Sequence, residues 1–258
     1  MENITSAKNP TIRSLRGLRD RAERVASGRI LVEGEVMIRE AFACGLHIYD
    51  LIADEKHEAF AEEMQKRGAN ALLVPRNLLE SVCDTKTPQG VCASFDAPKP
   101  TDLRDLPDVI VALDGVQDPG NLGTIWRTAD AAGFQGLLIG NGSADPLSPK
   151  VLRAAMGSGF RLPFAQAESL PDALNALHAD GYTLIASDLS GADFYQRPNP
   201  GRKLVLIIGN EARGISDAVR NCADMRVKLP MRGGAESLNV AIAAAILMYD
   251  LMREYEKA

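Results

Sequence analysis

Short apolar runs alternate along this chain with stretches whose apolar residues recur at helical spacing. In the first part, "RILVEGE", "IYDLIAD", "ANALLVP" and "GVCASFD" read as strands. "VMIREAFACG", ending at Gly45, "EAFAEEMQKRG" and "LLESVCD" read as helices. In the second part the strand candidates are "VIVALDG", "GLLIGN", "YTLIASD", "KLVLIIG" and "MRVKLPM". The helix candidates there are 121–132, 149–157, 170–180, 214–223 and 237–256. Apolar strands each followed by a helix predict a parallel sheet covered on both faces. In such sheets ligands sit beyond the carboxyl ends of the strands. The expected class is α/β: a small N-terminal α/β domain, then a parallel-sheet domain.

The boundary falls in "FDAPKPTDLRDLPD", residues 95–108, where three prolines among Asp, Lys and Thr suit neither helix nor strand. The expected domains are 1–96 and 108–258, joined by a linker over 97–107.

"DGVQDPGNLGTIWRTADAAGF", Asp114–Phe134, reads as a strand, a Pro-Gly-Asn turn and a helix. Leu122, Ile125, Trp126, Ala129 and Gly133 share one side of that helix. Arg127 falls on the opposite side, so it is not a core cation. Pattern alone makes Arg127 a solvated residue and Asn121 a turn or cap residue. Gly123, one turn before Arg127, leaves room for a backbone or ligand to approach.

Composition changes this picture little. Of 258 residues, 46% are hydrophobic and 24% charged, an ordinary globular balance. No apolar run reaches bilayer length, and the first residues lack the apolar core of a secretion signal, so a soluble cytoplasmic protein is expected. Cys44, Cys83, Cys92 and Cys222 form no C-x-x-C pair and have no histidine cluster near them. Reduced thiols and no metal are expected.

Charge changes it more. The net charge of −5 argues mildly against a polyanion partner. Yet the first thirty residues carry Lys8, Arg13, Arg16, Arg19, Arg21, Arg24 and Arg29 against Glu2, Asp20 and Glu23. A basic arm on an acidic protein suits nucleic acid. A solvated helix with pairs such as Asp20 with Arg24 accounts for the same charges.

Familiar cofactor motifs fail. "GNGSAD" starts a G-x-G-x-x-G pattern at Gly140 and Gly142, but Asp145 stands at the third glycine. No G-x-x-x-x-G-K-[ST] or H-E-x-x-H occurs, and His47, His57 and His178 are dispersed. Three polar loops at strand ends remain: "QDPGNLG", "GNEARG" and "MRGGAESLN". In the second, Gly209 permits close backbone approach and Gly214 opens the next helix. In the third, Ser237 reads as the N-cap of a helix with a small-residue stripe at Ala241, Ala244, Ala245 and Met248.

In order, "DPGNLG-x-x-x-R-T-x-x-x-x-G", "IGNE-x-x-G" and "LPM-x-x-x-x-x-SLNV" resemble the three signature motifs of the SpoU/TrmH family of RNA 2′-O-ribose methyltransferases, within the SPOUT superfamily. "SPKVLRAAMGSGFRLP" is similar to the segment between the family's first two motifs. "ITSAKNPTIRSLRGL", "RILVEGEVMIREA" and "TPQGV" resemble its N-terminal RNA-binding extension. The resemblance implies an S-adenosyl-L-methionine (AdoMet) cofactor, a deep C-terminal trefoil knot, a homodimer and a structured RNA substrate, by family analogy ribosomal RNA. A transfer RNA enzyme and a non-catalytic RNA-binding relative are the alternatives. It also implies that Ile208, Gly209, Asn210, Leu229, Met231 and Leu238 contact the cofactor, largely through backbone groups. Asn121, Arg127, Glu211, Ser237 and Asn239 match the family's polar catalytic positions. Lys8, Arg13, Arg16, Arg19 and Arg127 are the expected RNA contacts.

The implied reaction is in-line attack of a ribose 2′-oxygen on a sulfonium methyl, which demands alignment and removal of the hydroxyl proton. Arg127 is the family's favoured catalytic position. A charged guanidinium has no acceptor, so a bidentate grip on the target phosphate suits it better than the role of base. Glu211 is left open as a base or as a residue that holds its loop together.

Overall fold

The computed structural model describes residues 1–83, 85 and 87–255. They divide into two compact units. One comprises Met1–Lys99 and Asp145–Arg161; the other comprises Pro100–Ala144 and the chain from Leu162 onward.

The first unit begins with β1 (Glu2–Asn3), α1 (Pro10–Gly17), α2 (Arg21–Ser27), β2 (Arg29–Glu33) and α3 (Glu35–Ala43). It continues with β3 (Ile48–Ala53), α4 (Glu58–Lys66), β4 (Asn70–Leu73), α5 (Arg76–Val82) and β5 (Val91–Asp96). Asp84, the last residue of the expected "LLESVCD" helix, lies outside the described residues. The sheet order is β1-β4-β3-β5-β2. β3 is parallel to β4 and antiparallel to β5, so the layer is mixed. Its strands have two buried faces, sorted by the two-residue period. Ile30, Val32, Leu51, Ala53, Ala93 and Phe95 pack with Ile38, Phe60 and Met64 on one face. Leu31, Ile52, Leu72 and Cys92 pack with Ile12, Leu15, Leu79 and Val82 on the other.

The chain then forms β6 (Val109–Asp114), α6 (Pro119–Ala132) and β7 (Gly136–Gly140) of the second unit. It returns to the first unit for α7 (Pro149–Ala155) and α8 (Ser158–Arg161). Leu152 joins the Phe60 cluster, Asp145 pairs with Arg24, Arg161 pairs with Glu40, and Arg153 Nη2 lies 3.2 Å from Glu33. Asp145–Arg161, inside the expected 108–258 domain, thus packs with the first unit.

The second unit is completed by β8 (Phe164–Ala167), α9 (Leu170–Ala179), β9 (Thr183–Asp193), β10 (Leu204–Gly209), α10 (Asp217–Cys222), β11 (Met225–Lys228) and α11 (Val240–Tyr255). All six strands pair in parallel, in the order β11-β9-β10-β6-β7-β8. β8 was not among the expected strands; its four residues include a glutamine. Gly209 pairs with Asp114, so β6 and β10 end level at the middle of the sheet and place their two loops side by side. The apolar side of α6 is buried as its spacing predicts. Trp126 lies fully inside, edge-on to Phe164 at 5.2 Å, with its indole N–H donating to Leu162 O at 3.3 Å. α11 packs on α6 and buries Ala241, Ala244, Leu247, Met248 and Leu251.

Three expected helix starts of the second unit move: α6 begins two residues earlier, at Pro119, and α10 and α11 begin later. α11 begins at Val240, with Asn239 rather than Ser237 as its cap: Asn239 Oδ1 accepts from Ala241 N at 2.9 Å and Ile242 N at 3.3 Å. The last residue of the expected 237–256 helix lies outside the described residues. α10 begins at Asp217 under a Ser216 cap, and Gly214 instead bridges back to Asn210. Among the described residues no helix is long and apolar enough to cross a membrane.

Candidate active site

The loop after β6 is set by Asp118, whose carboxylate caps α6 by accepting from Asn121 N at 2.8 Å, with Pro119 in the first helical turn. This cap turns the Asn121 side chain towards the neighbouring strand end.

The loop after β10 folds back on itself. Asn210 and Gly214 exchange two backbone hydrogen bonds of 2.9 Å, with Gly214 at φ +69°. A Cβ on Gly209 would stand 2.3 Å from the Gly214 carbonyl carbon, so the return of the loop itself requires glycine there. Asn210 Nδ2 donates to Gly115 O at 2.7 Å, while its Oδ1 accepts from Ala212 N and Arg213 N.

Glu211 then reaches the β6 loop. Its carboxylate accepts from Gln117 N at 3.2 Å, Asp118 N at 3.0 Å and Asn121 Nδ2 at 3.0 Å. Burial pushes the Glu211 carboxyl up. Hydrogen bonds from Asn121 and from the amides of Glu211, Asp118 and Gln117 outweigh that and hold it below the usual value. The third loop joins through Asn239, whose Nδ2 donates to Asn121 Oδ1 at 3.1 Å. Three segments distant in sequence are therefore linked by Glu211, Asn121 and Asn239. The side chains of Ser237 and Arg127, by contrast, make no hydrogen bond or ion pair with any described residue.

A cavity of about 770 Å³ opens at the carboxyl ends of β10 and β11 and along Ser187–Ser190 within β9. Ile208, Gly209, Asn210, Leu229, Met231 and Leu238 all line it, together with Glu211 and Ser237. Its volume is in the range of cofactor sites. Apolar Ile208, Leu229, Met231 and Leu238 suit a flat aromatic base, the Glu236 carboxylate suits a cationic sulfonium or ammonium, and Arg213, Arg226 and Lys228 suit the carboxylate of the methionine part. These residues fit AdoMet. Asp188, Ser190 and Arg220 also line the cavity and were not among the expected residues. Ser187–Ser190 lie within β9, past its pairing with β10 and in the register shift of its pairing with β11, so no strand-end pattern marks them in the sequence.

Arg127 is exposed, as its helical position predicts, but it does not line this cavity. It lies about 9 Å further along the α6 axis than Asn121, at ~1.5 Å per residue. The incomplete dinucleotide motif is also set apart. Gly140 ends β7, where a Cβ would press on Leu113 O at 2.8 Å, and "GNGSAD" contributes nothing to the cavity.

In the first unit the basic arm is folded. Asn9 caps α1, and Ile12 and Leu15 anchor it in the core. Lys8, Arg13 and Arg19 are exposed. Arg16 is half-buried and donates to Ser81 O at 3.2 Å and Ser81 Oγ at 2.6 Å, which ties α1 to α5. The Asp20–Arg24 pair does not form. Asp20 caps α2, while Arg24 is buried and donates to Leu18 O and Arg19 O beside its pairing with Asp145.

Comparison with known proteins agrees with this geometry. A model described as the SpoU rRNA Methylase family matches residues 108–249, and one described as an MRM3-like substrate binding domain matches residues 9–93. The 23S rRNA (guanosine(2553)-2′-O)-methyltransferase RlmP of Bacillus subtilis (strain 168) is 34% identical over 251 residues, covering 97% of this chain and 99% of that protein. An AdoMet-bound rRNA methyltransferase from Sinorhizobium meliloti matches with a TM-score of 0.87 at 32% identity, over 98% of each chain. The SpoU methyltransferase AviRb from Streptomyces viridochromogenes, in complex with AdoMet, matches with a TM-score of 0.86 at 31% identity, over 97% of this chain and 100% of that one. Sequence motifs, linked loops and full-length likeness converge: the chain belongs to the SpoU rRNA methylase family.

Proposed function

We propose that this protein methylates a ribose 2′-oxygen in ribosomal RNA, with AdoMet as methyl donor. One observation carries the reading: the Glu211–Asn121–Asn239 chain of hydrogen bonds joins three loops beside a cavity that all six expected cofactor residues line. AdoMet supplies an electrophilic methyl on a sulfonium. The protein's part is to place the 2′-oxygen and to hold that arrangement.

The Glu211 carboxylate is taken up by Gln117 N, Asp118 N and Asn121 Nδ2 between β6 and the first turn of α6, which suits a positioning role better than that of a base. Ser237, at the cavity, and Arg127, on the exposed side of α6, keep their donors for substrate. Arg127 grips the phosphate of the target nucleotide with its planar fork and so fixes the ribose. Exposed Lys8, Arg13 and Arg19 on the first unit contact RNA phosphates. A cytoplasmic location goes with this substrate.

A homodimer and a C-terminal trefoil knot belong to the same proposal. Ile242, Ile246 and Tyr249 stand 52%, 37% and 54% exposed on the side of α11 away from α6, an apolar stripe suited to a second copy. The order β11-β9-β10-β6 and the packing of α11 on α6 support the knot.

The test incubates the full-length protein with methyl-labelled AdoMet and either ribosomal or transfer RNA, then digests to nucleosides for mass spectrometry. A 2′-O-methylnucleoside from ribosomal RNA is expected. Label on a base, or only in transfer RNA, would overturn the proposal.

A further inference from the structure

Of the charged side chains that line the cofactor cavity outside the three motif loops, Asp188 and Arg220 pair with each other. We propose that Asp188 and Arg220 are positioning residues for AdoMet: their pair fixes the β9 wall of the cavity to the β10 wall, and cofactor affinity depends on it. The inference rests on the function proposed above.

The parallel ladder between β9 and β10 pairs residues as far as Ala186 with Ile207. Beyond that point both chains line the cavity, Ser187–Ser190 from β9 and Ile208–Ile215 from the end of β10 and its loop. Arg220, on α10, joins them. Its Nε donates to Asp188 Oδ2 at 2.6 Å and its Nη2 to Ile215 O at 3.2 Å, while Nη1 pairs with Asp217.

Asp188 is itself fixed. Its side chain is only 7% exposed, and Oδ1 accepts from Ser190 N at 2.8 Å and Ser190 Oγ at 2.9 Å. Burial pushes its carboxyl up, but the Ser190 amide, Arg220 and the Ser190 hydroxyl together hold it below the usual value. Asp188 in turn holds the Arg220 guanidinium up. The pair is therefore ionised throughout the neutral range. A planar fork that meets one wall with each arm fixes their separation, which a lysine's single point charge cannot.

Calorimetric titration of AdoMet into full-length protein tests this. Arg220→Ala and Asp188→Asn should raise the AdoMet Kd by about tenfold or more, the worth of one charge-assisted hydrogen bond. Arg220→Lys should fall between them and wild type. Asp217→Ala, at a side chain 90% exposed, should stay within about twofold. The AdoMet KM should rise more than kcat falls, and RNA affinity should not change.

A folded Arg220→Ala or Asp188→Asn protein with wild-type AdoMet affinity overturns the proposal, as does a loss confined to kcat. A second measurement needs no variant. The Arg220 Nε proton of wild type should exchange more slowly with AdoMet bound, and an unchanged rate overturns the proposal. Wild-type protein that does not bind AdoMet sinks the proposed function itself, a distinct result.

Discussion

Replacing Glu211 with glutamine asks whether the carboxylate organises the site. Glutamine keeps the shape but turns one acceptor oxygen into a donor. Gln117 N, Asp118 N and Asn121 Nδ2 all point at the carboxylate, so at least one of them then faces a donor. The others fall from charge-assisted bonds, each ~1.5–3 kcal/mol, to neutral ones of ~0.5–1.5 kcal/mol. Glu211 is largely open to solvent, so the sum is discounted to about 1–2 kcal/mol. If that energy holds the competent loop arrangement, turnover falls by roughly 5–30-fold. Acid provides a second readout. A lowered folded-state pKa means that the carboxylate's stabilisation is complete above the ordinary glutamate value and disappears as pH falls through the folded one. Thermal melts of wild type and Glu211→Gln should differ by a constant amount from pH 8 to about 5 and converge below about 4.3. Equal turnover, or a stability gap that widens in acid, would refute the reasoning.

Other perturbations separate the remaining roles. Arg127→Lys should lower single-turnover methylation by at least about tenfold while AdoMet affinity stays within twofold, because charge survives and the fork does not; near-normal turnover removes the phosphate grip. Lys8→Ala and Arg13→Ala should each reduce the salt dependence of RNA binding by ~0.7–0.9 in log–log slope, with AdoMet affinity unchanged; an unaltered slope rules out their phosphate contacts. Point substitutions test the arm better than deletion of residues 1–95, which would strip Leu152 and Arg153 of their partners in the first unit. Ile242→Glu should yield monomers in sedimentation velocity, and an intact dimer would move the interface elsewhere.

The sheets were legible because strands with two buried faces read as apolar runs whichever face a residue takes. β8 was not, since "FAQA" is short and holds a glutamine that only its neighbours exclude from helix. The cap of α11 was misread for a tertiary reason. "ESLNV" offers two capping residues, and the bond from Asn239 to Asn121, set by folding, favours the second. Charge counting could not divide the basic arm, because Arg24 differs from Arg19 only in what the fold places around it. The Asp188–Arg220 pair was likewise hidden: each residue looks like a surface charge until β9 and α10 are brought together.

The polarity of the central hydrogen bonds is fixed from the helix outward. The first amides of α11 are donors without partners inside the helix, so Asn239 must present its oxygen to them. Its amide nitrogen is then left to donate to Asn121 Oδ1, which turns the Asn121 nitrogen outward. A donor there demands an acceptor, and Glu211 supplies it with no hydrogen of its own. Asparagines at 121 and 239 and an anion at 211 are thus one choice rather than three. Asn239→Asp isolates the step. Aspartate caps α11 at least as well and adds negative charge at the helix N-terminus, but it cannot donate to Asn121. The melting temperature should stay within a few degrees of wild type, since caps of this kind differ by under about 1 kcal/mol. Methylation should fall by about tenfold, the loss of one bond and the facing of two acceptors. Full activity in Asn239→Asp would show that the polarity of these bonds does not matter to the reaction.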